Sequence, residues 1–177
     1  MFDCSPTERL SMTALAPTLR TSKAPARPPA TTVMWATATA TGALAALVAL
    51  GTLSGHLLLI PPMAASVALI AGAPALPLAQ PRNVVGGQVI SALVGVAVGA
   101  LSHSLWAGAL AGGIALGAMM VARTSHSPAA ATAVIGAMTP HGHVSFVICV
   151  ALAATVLVGF GLLRGLTGTG KYPTYWW

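Results

Sequence analysis

The sequence predicts an all-α membrane protein with about six membrane segments, arranged as two inverted three-segment repeats. Three observations carry this. First, 56% of the 177 residues are hydrophobic and 6% are charged, against about 25% charged in a soluble domain, so the solvent is lipid. Second, a segment occurs twice: PMAASVALIAGAP between Pro62 and Pro74, and PAAATAVIGAMTP between Pro128 and Pro140. Ala64, Ala65, Ser66 and Ala71 meet Ala130, Ala131, Thr132 and Ala137, and such self-similarity reports the organisation of a whole chain. Third, each copy is short. A dozen residues make a helix of about 18 Å, against a hydrocarbon core of about 30 Å.

The elements run in order along the chain. Residues 1–32 are polar, rich in Pro, Ser, Thr and basic residues, and lack apolar periodicity; they read as a flexible tail, with a transit peptide as the rival reading. Residues 33–53 form a first spanning helix with Trp35 as interface anchor. Residues 56–78 hold the first proline-bounded copy and cross only as part helix, part extended chain. Residues 83–101 and 105–122 are full helices, the latter opened by Trp106. Residues 125–140 hold the second copy, and 144–163 form the last full helix. The transmembrane domain thus covers 33–171, and the aromatic tail 172–177 returns to the interface, where Tyr and Trp are favoured.

Charge placement decides whether the short segments cross. With all six crossing and the N-terminus cytoplasmic, Arg82, Arg123, Arg164 and Lys171 fall on the cytoplasmic side, and connections 54–56, 102–104 and 140–143 carry no Lys or Arg. Every fixed positive charge then obeys the positive-inside rule. An odd number of crossings per half inverts one repeat relative to the other. The expected location is the inner (plasma) membrane, both termini cytoplasmic, with a plastid envelope as the alternative.

Small residues recur every fourth position at Gly87, Ser91, Gly95 and Gly99, and at Ala109, Gly113 and Gly117. This spacing lets helix backbones approach closely, against a neighbour in the same chain or in a homo-oligomer.

A helix starting inside the bilayer has unpaired N–H groups, and proline suits its first position. Pro62 and Pro128 are thus expected to open two half-helices whose positive ends meet near the middle. Such ends attract anions. The only acidic residues, Asp3 and Glu8, precede every apolar segment, so the expected ligand is a small anion or a polar neutral solute. His126 either hydrogen-bonds the anion, carries a coupled proton, or fixes the turn before the helix. Ser66 and Thr132 either line the path or bond back to their own helix. Arg82 and Arg123 form an anion vestibule or signal topology alone.

Other function classes are disfavoured. No basic run with interleaved aromatics points to nucleic acid. An enzyme lacks its paired carboxylates, and no Ser-His-Asp or metal constellation is visible. His141 and His143 at a connection are a weak metal signal and read as a solvated turn. Cys4 and Cys149 lie far apart in sequence, and no cofactor motif is present.

The stretch TSHSPAAATAV, together with GAPALPLAQPRNVVGG and the terminal KYPTYWW, resembles the HPP family of integral membrane proteins, named for a His-Pro-Pro motif followed by small residues and Ala-Thr-Ala. Members in cyanobacteria and plastids are implicated in nitrite transport. The resemblance implies a transporter of a small monovalent anion, nitrite first, and singles out His126 and Pro128 with Gln80, Pro81, Arg82 and Asn83. Ser127 replaces the central proline of the motif, and a serine there is suited to cap the half-helix. The substrate-binding set expected from residues and resemblance together is His126, Ser127, Pro128, Thr132, Pro62, Ser66, Arg82 and Asn83. The alternative is a non-transporting scaffold or assembly subunit packed through its glycine faces.

Overall fold

The computed structural model describes residues 26–168 and 171–176, and every regular element among them is helical. Six α-helices succeed one another: α1 (Ala30–Ser54), α2 (Pro61–Gly72), α3 (Pro81–Gly99), α4 (Leu105–Val121), α5 (Ser127–Met138) and α6 (His143–Leu166), with a 3₁₀ turn at Pro77–Ala79 between α2 and α3. The first helix begins three residues before the expected tail boundary, and residues 1–25 of that tail lie outside the described residues. In the segment around the first copy the extended backbone precedes the helix, at Ile60 (φ −113°, ψ 155°); after α2 the chain turns through Ala73 and the 3₁₀ turn into Pro81.

Length sorts the helices. Those of 25, 19 and 24 residues (α1, α3 and α6) are long and apolar enough to cross a membrane. Expected as a full helix, α4 has 17 residues, about 26 Å at 1.5 Å per residue. The short pair, α2 and α5, have 12 each, about 18 Å. Large apolar side chains cover the outside, among them Leu53, Leu101, Trp106, Val121 and Leu166. A surface this apolar is stable against lipid, not water.

The third helix is the hub, packing on α4, α5 and α6, while α2 packs on α1, α5 and α6, α5 also on α4, and α1 also on α6. Exchanging the halves (α1 for α4, α2 for α5, α3 for α6) maps this set of packed pairs onto itself. The sequence repeat also extends past the proline-bounded copies. The interval from Pro62 to Pro128, which inside the copies relates Ala71 to Ala137, also separates Gly95 from Gly161 and Gly99 from Gly165.

The glycine face of α3 packs within the chain. A Cβ at Gly95 would lie 2.5 Å from the Ala133 carbonyl oxygen of α5, and one at Gly99 would lie 2.8 Å from that of Ala137. Together with Ala107, Ala111 and Ala115 these residues make a core of small side chains between α3, α4 and α5. In α6, Gly161 meets Ile70 of α2 and Tyr172, and Gly165 meets the Tyr172 backbone. The face formed by Ala109, Gly113 and Gly117 differs: all three are exposed, and Gly113 and Gly117 meet nothing within 4 Å.

Both short helices have their C-terminal carbonyls held from outside. Arg164 Nη1 donates to the Ala71 oxygen, and His103 Nδ1 lies 2.9 Å from the oxygen of its counterpart Ala137. These are the orphan acceptors of a helix end.

Nor does the whole C-terminal tail sit at the interface. Tyr172 is buried, and Gln80 clamps the chain just beyond it: its Oε1 accepts from the Thr174 N–H at 2.8 Å, while Nε2 donates to Pro74 and Leu76 carbonyls at 2.8 and 2.9 Å. Gln80→Leu deletes all of these bonds. The tail is then expected to release, at a cost of roughly 1–3 kcal/mol of stability, seen as faster limited proteolysis after Lys171 and a lower melting temperature in detergent.

Candidate functional site

The two short helices start differently from expectation. Pro61, not Pro62, is the first residue of α2, and its N-cap is Ile60. Ser127 is the first residue of α5, so Pro128 stands second, and the N-cap is His126 with no side-chain capping bond. Ser127 therefore does not cap; its side chain is exposed. Proline remains tolerable at the second position because that N–H also has no partner within the helix. In α2 both prolines lack an N–H, and the Met63 N–H turns back to Ile60 O at 2.9 Å. With a serine at its start, α5 retains an N–H there that α2 lacks.

The His126 backbone is extended (φ −142°, ψ 100°), which turns its side chain inward, and the residue is fully buried. Its Nδ1 lies 2.7 Å from Leu78 O and its Nε2 lies 2.8 Å from Ser66 Oγ in the middle of α2. The N-terminus of α5 is thereby level with the middle of α2. Ser66 Oγ is also 2.8 Å from Pro62 O and accepts from Gln88 Nε2 at 2.9 Å. Gln88 Oε1 in turn accepts from Thr132 Oγ1 at 2.5 Å. Ser66, Gln88, His126 and Thr132 each have zero exposure. Buried polar groups require partners, and this chain of bonds supplies them in a region without Asp or Glu.

Of the expected residues, the structure brings His126, Ser66 and Thr132 together, with Pro62 as a carbonyl partner. Ser66 both bonds back to its own helix and joins the cluster; Thr132 bonds across to α3. The other two make backbone bonds at the start of α3. Arg82 Nη2 donates to Ala122 O at 3.3 Å, bracing the α4–α5 connection, and Asn83 Nδ2 donates to Pro77 O at 2.8 Å, holding the 3₁₀ turn. Pro128 is half-buried at the start of α5.

Gln88 is the member that spacing does not single out. Its signal was present: one amide inside the apolar run VVGGQVISALVGV, where a polar residue in a membrane helix marks a functional or specifying site. Gln88→Leu leaves the Thr132 hydroxyl buried without this partner. A destabilisation of about 1–3 kcal/mol is expected, read as a lower melting temperature in detergent, and adding Thr132→Val is expected to recover part of it.

Two cavities lie along the helices that carry the cluster, and neither is lined by a cluster residue. One of about 240 Å³ is lined by His56, Thr139, His141, Ser145 and Ile60, the N-cap of α2. Another of about 460 Å³ is lined by Arg82, Gly86, Thr124, Leu162 and Trp176, and Thr124 stands two residues before His126. The cluster itself is sealed, with zero exposure for all four side chains. His103 and His143 approach with ring centroids 6.5 Å apart, but among the described residues no group of three or more His, Cys, Asp or Glu could hold a metal ion.

Apolar surface, helix lengths and a buried polar cluster define a helical integral membrane protein. The model of the transmembrane region of HPP proteins matches residues 25–173, and the chain belongs to that family. It is similar to two transmembrane proteins of Dictyostelium discoideum. One is 35% identical over 124 residues, covering 64% of this chain and 40% of the relative; the other is 32% identical over 129 residues, covering 67% and 45%. The match therefore spans less than half the length of either relative. No solved structure matches the chain.

Proposed function

We propose that this protein passes a small monovalent anion through the membrane where α2 and α5 cross. The observation that carries this is the sealed cluster of Ser66 in α2, Gln88 in α3, His126 at the N-cap of α5 and Thr132 in its second turn, with no carboxylate among the described residues to repel an anion. The helix starts supply positive potential, and α5 contributes more of it than α2 because Ser127 keeps its N–H. Hydroxyl, amide and imidazole groups replace part of the hydration shell. Nitrite is the first candidate, because family members are implicated in its transport.

In this reading all six helices cross as two inverted repeats, with both termini cytoplasmic. The exchange symmetry of the packed pairs supports the repeat, and the placement of Arg82, Arg123, Arg164 and Lys171 supports the orientation. The cavities at Ile60 and at Thr124 are then the outer and inner approaches.

The test is an anion panel (nitrite, nitrate, formate, chloride) in proteoliposomes against protein-free vesicles. Nitrite uptake above background is expected. A second reading, a packing or assembly subunit in a homo-oligomer, rests on the open face at Ala109, Gly113 and Gly117. It predicts that the purified protein moves none of these anions.

A further inference from the structure

We propose that the site loads a proton with each anion, as an electroneutral pair, with His126 Nε2 as the proton's seat and the Ser66 hydroxyl as the switch that admits it. This rests on the anion-carrier reading above and specifies the co-substrate of that same site.

Ser66 has one hydroxyl hydrogen and two acceptors in range, Pro62 O and His126 Nε2, both at 2.8 Å. Its oxygen already receives Gln88 Nε2–H. On the far side of the ring, Nδ1 faces the Leu78 carbonyl, a group that only accepts, so Nδ1 keeps its hydrogen in either charge state. Two hydrogen arrangements satisfy these positions. With Nε2 bare, Ser66 donates to it. With Nε2 protonated, the imidazolium donates to Ser66 Oγ, and the hydroxyl rotates to Pro62 O. In that second state Ser66 accepts two hydrogens and donates one, its full capacity. The heavy atoms need not move. The states differ by one proton on one nitrogen and a turn about one C–O bond. The Thr132–Gln88 bond fixes which end of the amide faces Ser66, so Gln88 donates to Ser66 in both.

Charge then ties the proton to an anion. No titratable side chain is present on α2, α4 or α5, or in the connection from Ala73 to Gln80. The third helix brings Arg82, α6 brings His143, Cys149 and Arg164, the α4–α5 connection brings Arg123, and the tail brings Lys171, Tyr172 and Tyr175. Every fixed charge among them is positive. An imidazolium at His126 therefore finds no counter-ion in the described chain, and an arriving monovalent anion supplies it. By linkage, whatever factor the anion adds to proton affinity, the proton adds to anion affinity. Net charge moved is zero.

The experiment uses the full-length protein in proteoliposomes with sodium nitrite, a trapped pH dye, and potential set by valinomycin and K⁺. Protein-free vesicles give the background leak of nitrous acid. Protein-dependent nitrite uptake with luminal acidification, about one proton per nitrite and insensitive to potential, is the expected result. Calorimetric titration of nitrite into the detergent-solubilised wild type, in buffers of different ionisation enthalpy, is expected to show uptake of about one proton. His126→Gln, with an amide that holds no extra proton, is expected to lose the acidification and to leave residual uptake that follows the potential. Nitrite uptake by the wild type that follows the potential, without acidification, overturns the proton coupling and leaves the carrier reading standing. Absence of protein-dependent uptake of any anion in the panel overturns both.

Discussion

Replacing Gly95 with leucine is expected to abolish recovery of folded protein from the membrane. A single added Cβ would already stand 2.5 Å from Ala133 O and 2.9 Å from Ala133 Cα, and backbone atoms cannot swing aside as a side chain does. Relief requires separating α3 from α5, and with it Gly99 from Ala137 and Gln88 from Thr132. Overpacking of this kind costs about 3 kcal/mol or more. The control is Gly113→Leu on α4, where nothing lies within 4 Å; it is expected to give a normal size-exclusion peak and melting temperature. Equal loss from both variants would refute the packing account, since helix propensity alone favours leucine over glycine at either site.

The second large effect belongs to His126. His126→Ala is expected to cut nitrite uptake in proteoliposomes about tenfold or more, because a hydrogen bond to a charged partner is worth roughly 1.5–3 kcal/mol. The protein should still insert, since the alanine leaves α5 and its glycine contacts intact. Leu78 O and Ser66 lose a partner, so some fall in melting temperature accompanies the loss. Reconstituted amounts are matched by quantitative gel, and unchanged uptake per molecule would remove His126 from the site.

Most of the helical framework was legible, for reasons that can be named. Apolar runs broken by Pro, Gly and polar connections gave each helix to within a few residues, because such breaks are local. Proline marked the start of both short helices, yet missed by one position, since Pro61 and Ser127 also take helical backbone angles. The glycine face of α3 predicted close packing but not its partner, which depends on which helix the fold delivers. Ser66, His126 and Thr132 were visible as chemistry beside a helix start. Gln88 was not, because an amide's role depends on what stands across from it: here hydroxyls on α2 and α5, at positions 66 and 132. Arg82 was visible, but its contact was not. Its charge allowed either a vestibule or a topology signal, and what the sequence did not show is that its guanidinium also braces the Ala122 carbonyl while lining a cavity.

The neighbours of α2 have a consequence for biogenesis. When α5 emerges during synthesis, its partners α2, α3 and α4 have already been made. For α2 only α1 is ready; α5 and α6 come far downstream. A helix of 12 residues holds its place poorly in lipid without neighbours, so nascent α2 must be sheltered until α5 and α6 are translated. Seating of α2 thus waits on α6, and a ribosome stalled before residue 143 leaves the oldest part of the site without that neighbour.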